Sequence, residues 1–260
     1  MTEGRIIGLV SGKGGVGKTT VSVNLGIALR RMDAEVTVVD ADFSASNLGV
    51  HLGRYDHPVK IHKVLEGDAD PSSAVFRHPT GIKAITASNE LQDLNPDKEN
   101  LQEVLEHAAE NSDYVLVDCP PGLDSTVETV MSACDEMVIV TTPTQTAGIN
   151  AAQIIQKCKQ MKKPVLGTVL NKVEDEPDKE LVEREVEMMT ESHIMGKIPQ
   201  DGTVKESLFE YQPLLDYEPL SEAALEIKQL AAQMHGTEYE KPRFAKLKQK
   251  FNDLKKNIMN

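Results

Sequence analysis

The sequence predicts an α/β fold: a doubly wound, mostly parallel sheet with helices on both faces. Three observations predict it. Short apolar runs alternate with stretches of helical character, a glycine-rich turn follows the first run, and acids stand where later runs end. Strands buried on both faces read as continuous apolar runs, and each parallel crossover needs a helix, so the alternation specifies this architecture.

The elements follow in order. Arg5–Val10 is the first strand, with a helix starting at about Lys18. Val36–Val39 and Ile82–Thr86 are strands, and a helix fits near Lys98–Glu110. Tyr114–Val117, Met137–Thr141, Val165–Leu170 and Ile194–Ile198 complete the sheet, with a helix near Ala147–Lys159. Pro177 suits the first position of the acidic helix that follows it, where a missing N–H costs nothing. The last helix of the body fits near Ser221–Met234. No repeat or Ser/Gly linker interrupts residues 1–236, which read as one domain; residues 237–260 read as a hinge (Gly236 to Pro242) and a basic tail.

Composition bounds the function. The 260 residues are 40% hydrophobic and 27% charged, an ordinary globular balance, and the absence of Trp makes the core aliphatic. Net charge is −13. Residues 241–260 hold seven basic groups against one acid, Asp253, a surplus of +6, so the first 240 residues carry −19. A body that acidic repels nucleic-acid phosphates, while the tail invites an acidic partner or membrane surface. Cys119, Cys134 and Cys158 show no C-x-x-C spacing, which disfavours disulfides, zinc ribbons and iron–sulfur carriers. No apolar run reaches the roughly 18 residues of a membrane span and no signal peptide is legible, so the expected location is the cytoplasm.

Two fingerprints overlap in Ser11-Gly12-Lys13-Gly14-Gly15-Val16-Gly17-Lys18-Thr19-Thr20. Gly12, Gly14 and Gly17 satisfy the dinucleotide pattern, with Asp40 where a ribose-binding acid would stand. Gly12, Gly17, Lys18 and Thr19 satisfy the phosphate loop of triphosphate-binding proteins. Lys18 and Thr19 decide between them, because a triphosphate needs a cation at its β and γ oxygens and a hydroxyl ligand for Mg²⁺. Backbone N–H groups of the loop then converge on phosphate at the helix N-terminus. Asp40, Asp42 and Asp118 fall at carboxyl ends of parallel strands, which open onto the nucleotide crevice. Asp118 is expected to hold a Mg²⁺-bound water and Asp42 to orient the attacking water. Asp40 is a further candidate for the metal's water shell; each acid could instead simply cap its strand.

Lys13 to Thr19, with Asp40-Ala41-Asp42 and Asp118-Cys119-Pro120-Pro121-Gly122, resembles the deviant Walker A motif set of the MinD/ParA family of ATPases. The opening from Gly4 to Thr20 most resembles the MinD branch, archaeal members above all. The resemblance spans about residues 4–235 and implies a dimer that sandwiches two ATP molecules. Lys13 would reach the partner's nucleotide, Lys18 the β/γ phosphates in cis, and Thr19 the Mg²⁺; Gly14, Gly15, Val16 and Thr20 complete the cradle. Asn171 matches the family's adenine-contacting Asn, and Pro199 and Asp201 lie in the segment resembling the loop beside the base. One departure is Ser46, where bacterial MinD usually carries Arg, so the resemblance does not imply the bacterial partners. Another is that Pro120-Pro121-Gly122 also resembles iron–sulfur carrier ATPases, whose paired cysteines are missing.

In the tail, Phe244, Leu247, Phe251, Leu254 and Ile258 fall within an arc of about 80° at helical spacing. Arg243, Lys248, Lys250 and Lys255 flank the arc, and such stems can snorkel to lipid headgroups. The seam is also a two-heptad a/d pattern, and docking on the acidic body is a further alternative. With the resemblance, the reading is a MinD-like ATPase that hydrolyses ATP to ADP. It would cycle between a dimer peripheral on the inner face of the cell membrane and a released monomer, positioning division or polar assemblies with an unidentified regulatory or cargo protein. A ParA-like partitioning ATPase and a metal-cofactor loading ATPase are the rivals. His51, His57 and His62 read as polar loop residues rather than a metal set.

Overall fold

The structure is a computed structural model, and it describes residues 4–54, 56–88, 90, 100–174 and 180–242. An eight-stranded sheet forms its centre: β1 (Arg5–Ser11), β2 (Val36–Asp40), β3 (Phe76–Arg77), β4 (Lys83–Ile85), β5 (Tyr114–Pro121), β6 (Glu136–Thr141), β7 (Val165–Val173) and β8 (Ile194–Pro199). Spatial order is β3-β4-β2-β5-β1-β6-β7-β8. All neighbours are parallel except the β3–β4 edge, where Phe76 pairs with Ala84.

Side chains alternate between two apolar layers, as period-2 strands require. Along β1, Ile6 and Val10 enter one layer while Ile7 and Leu9 enter the other. In β5, Val115, Val117 and Cys119 face the first layer; Tyr114 and Leu116 face the second. Helices α5 (Leu101–Ala109), α6 (Ser125–Ser132) and α7 (Gln145–Gln160) cover the first face. Helices α1 (Lys18–Arg30) and α11 (Glu222–His235) cover the second. The remaining helices are shorter: α2 (Leu48–His51), α3 (Ile61–Leu65), α4 (Pro71–Ala74), α8 (Glu183–Thr190), α9 (Gly202–Phe209) and α10 (Leu214–Tyr217).

The expected strands all form, with two informative differences. β5 runs through Asp118 to Pro121 rather than stopping at Val117, so Asp118 sits inside a strand and not at its end. β3 is only two residues long, too short for an alternation to be read from sequence. α11 ends on Gly236, whose φ of 71° closes the helix. The acidic helix α8 begins at Glu183; Pro177 lies outside the described residues, as do Phe244, Leu247, Phe251, Leu254, Ile258 and their basic neighbours from Arg243 onward. Among the described residues no helix is long and apolar enough to cross a membrane.

Candidate functional site

The loop between β1 and α1 reverses the chain over the carboxyl edge of the sheet. Gly17, at φ 88°, stands in the left-handed region immediately before α1, and a Cβ there would collide with Asn171 Nδ2. A Cβ on Gly12 would lie 2.6 Å from Asn150 Cβ, so α7 approaches the loop too closely for any other residue. α1 carries no side-chain cap and no acid in its first turn. By contrast Asp124, Thr144, Asp201 and Ser221 cap the helices that follow them. The first N–H groups of α1 are thus left for an external anion.

A cavity of about 300 Å³ opens at this point. Lys13, Gly14, Gly15, Val16, Gly17, Lys18, Thr19, Thr20 and Asp42 all line it. Beneath it Asp118, 1% exposed, accepts three hydrogen bonds: Lys18 Nζ at 2.7 Å, Thr19 Oγ1 at 2.6 Å and Ser22 Oγ at 3.2 Å. Burial opposes the charge on Lys18, but the Asp118 carboxylate outweighs it and raises the ammonium's pKa on balance. A cation, a hydroxyl and a carboxylate converge here beside free backbone N–H groups, the donor set that Mg²⁺ and a triphosphate require.

Asp40 pairs in register with Asp118 across β2 and β5. Its Oδ2 accepts from Ser46 Oγ (2.7 Å) and Leu48 N (3.2 Å), and its Oδ1 from Asp42 N (3.1 Å). Complete burial, then the neighbouring Asp118 charge, push its carboxyl up to about 7. Both oxygens of Asp40 therefore bind the loop that follows β2. Asp42 Oδ1 accepts from Ser44 Oγ and Ala45 N, so the same loop wraps the cavity-lining acid in a tight turn. Lys13 is exposed on the rim, and its side chain makes no hydrogen bond or ion pair among the described residues.

Asn171, Pro199 and Asp201 lie outside the cavity lining. Asn171 Nδ2 donates to Val16 O at 2.7 Å, and Lys172 Nζ to Gly15 O at 2.6 Å, so the end of β7 clasps the phosphate loop from behind. Pro199 ends β8 opposite Val173. The Asp201 carboxylate accepts from Thr203 N and Oγ1 and from Ala223 N, tying α9 to the start of α11.

Ala45, Asn47, His51 and Pro121 also line the cavity, and no role in it was expected of them from the sequence. Ser22 was equally silent, although its place one helical turn after Lys18 was available as a clue. The three histidines do not gather. His57 stacks on Phe76, His62 is buried with its Nδ1 accepting from Ser88 N, and His51 alone reaches the cavity.

Known proteins resemble this chain in sequence and fold. The family profile described as AAA domain matches residues 4–172. An uncharacterized ATP-binding protein of Methanocaldococcus jannaschii is 34% identical over 245 residues, covering 94% of this chain and 91% of that protein. The crystal structure of the cell division ATPase MinD of Pyrococcus furiosus superimposes with a TM-score of 0.85 at 31% identity, covering 90% of this chain and 99% of that one. The septum site-determining protein MinD of Pyrococcus horikoshii, solved with Mg-ADP, gives 0.84 at 29% identity over 88% of this chain and 95% of that one.

Proposed function

The chain belongs to the MinD/ParA family of P-loop ATPases that use ATP and Mg²⁺, and on that premise we propose that its ATP cycle controls dimerisation and membrane attachment. Lys18 grips the β/γ phosphates, Thr19 with Asp118 holds the metal, and Asp42 orients the water that attacks the terminal phosphate. Asp40 supports this set by fixing the loop from Asp42 to Leu48. Asn171, Pro199 and Asp201 border the base.

The observation that carries the dimer is Lys13. Its side chain stands exposed on the cavity rim with no hydrogen bond or ion pair among the described residues. A second protomer's phosphates would supply a partner, making each nucleotide part of the interface. Dimerisation then doubles the tails. One amphipathic helix binds lipid weakly, at about 10⁴ M⁻¹ if it resembles a single acyl chain, and pairing raises avidity by roughly 10²–10⁴. Hydrolysis returns the monomer to the cytoplasm, and the membrane-bound state positions cellular machinery.

The test is the variant Lys13→Ala, examined by light scattering and by co-sedimentation with anionic liposomes in ATP and ADP. Monomer nucleotide binding should persist while the ATP-dependent dimer and liposome binding are lost together. Normal dimers in the variant would remove the rim lysine from this role.

A further inference from the structure

His51 is a polar side chain in the cavity with no assigned task. It ends α2, held there by its own N–H to Asn47 O at 3.1 Å, and it lines the cavity with Lys18, Thr19 and Asp42. Other histidines have ring partners that can be named within the chain. His57 Nδ1 bonds Val59 O, His62 Nδ1 accepts from Ser88 N, and both nitrogens of His78 bond Leu52 and Thr80. The ring of His51 makes no hydrogen bond among the described residues.

Its charge state follows from its surroundings. The charged groups facing it are Asp118 and Lys18, with Asp42 and Lys13 also on the cavity wall. Burial first, and Lys18 in addition, hold the imidazole neutral down to about pH 4 against the pull of Asp118. A neutral imidazole carries one N–H donor, and a donor facing a cavity without a partner calls for an acceptor there.

Position says which acceptor. The loop backbone and α1 approach from one wall, where the inner phosphates are cradled. His51 ends the helix that follows the Asp42–Leu48 loop and lines the same cavity as Asp42, the acid assigned to the attacking water. We propose that the His51 ring donates a hydrogen bond to the terminal phosphate of ATP, making α2 the element that distinguishes ATP from ADP. This rests on the reading of the cavity as the ATP site. α2 is well placed to relay the difference: Leu52 O accepts from His78 Nε2 at 2.9 Å, beyond which lies the β3–β4 edge.

The experiment is calorimetric titration of the full chain, with Mg²⁺, using a non-hydrolysable ATP analogue and separately ADP. Wild type, His51→Ala, His51→Gln and Lys18→Ala are compared, with thermal unfolding as a check on each. His51→Ala should lose about tenfold or more in affinity for the analogue, the value of one hydrogen bond to a charged group, and nothing for ADP. His51→Gln keeps an N–H donor of similar reach and should recover most of the loss. Unchanged analogue affinity in His51→Ala, equal losses for both nucleotides, or no rescue by Gln would overturn the proposal while leaving the ATP site intact. A wild type that binds neither nucleotide, or a Lys18→Ala that binds both normally, would overturn the cavity assignment itself, and the role of His51 with it.

Discussion

Asp118 receives more side-chain donors than any other acid of the site, and the energetics of the site turn on it. Lys18 and Asp118 are 7% and 1% exposed, so removing the ammonium strands a buried carboxylate. Breaking such a pair costs about 3–5 kcal/mol, far beyond the worth of a surface ion pair. Lys18→Ala should therefore lower the urea midpoint substantially as well as abolish ATP binding; a variant of wild-type stability would show that the pair is dispensable to the fold. Asp42→Ala should behave differently, since among the described residues that acid accepts only from its own turn. Nucleotide binding should survive and steady-state phosphate release should stop; turnover at the wild-type rate would reduce Asp42 to a turn former. Lys18 and Thr19 were legible in the sequence because the phosphate loop fixes their spacing, and Asp118 because it follows the apolar run Tyr114–Val117. His51 and Ser22 were not, because no local pattern distinguishes a cavity-facing polar residue from a solvated one.

Element by element, the caps separate what holds the site in place from what acts in it. Asp201 joins the N-termini of α9 and α11 through one carboxylate. Burial works against its charge, but bonds from Thr203, Ala223 and Ser221 outweigh burial and hold its pKa below the ordinary 3.8. A depressed acid stabilises the fold above its unfolded pKa, and that contribution is lost as pH falls through the folded value. Asp201→Ala should cost about 0.5–2 kcal/mol near neutral pH, and the gap from wild type should close in acid below about pH 4. Urea titrations at two pH values measure both. A pH-independent gap would mean that the side chain acts by packing alone. Long helices such as α7 and α11 were readable within a residue or two from their apolar periodicity. The four-residue helices α2 and α4 and the two-residue β3 complete no period of their own, so only tertiary packing reveals them.

At the scale of the whole molecule, one sheet divides two aliphatic layers and exposes its carboxyl edge to the nucleotide. That plan was legible because buried parallel strands need continuous apolar runs, which this chain supplies without aromatic help. The charge plan was legible too, and it separates an acidic body from a basic tail. Replacing Phe251 and Leu254 with Glu sets two charges in the apolar arc, where burial at the acyl boundary is costly. Liposome binding in ATP should be lost, while nucleotide affinity and basal hydrolysis stay at wild-type levels. Salt should weaken wild-type binding only in part, because the apolar contribution is not screened. If the wild type ignores anionic liposomes with a non-hydrolysable analogue, the tail pairs with protein instead.

Lys18 Nζ spends one of its three N–H donors on Asp118 at 2.7 Å, and a bound phosphate would draw on the same positive charge. Loading a triphosphate therefore divides that charge: Asp118 keeps the hydroxyls of Thr19 and Ser22 and only a share of the ammonium. Asp40 stands opposite it in register, so two buried acids would share less positive charge than before. A divalent cation arriving with the nucleotide restores the balance. ATP and Mg²⁺ are thus linked ligands, each raising the affinity for the other by the same factor. Titrating ATP in a chelator should give a Kd at least about tenfold weaker than in Mg²⁺, a coupling of ~1.4 kcal/mol. Asp118→Asn should narrow the difference, because an amide needs no counter-charge. Equal affinities with and without the metal would mean that Lys18 alone balances both anions.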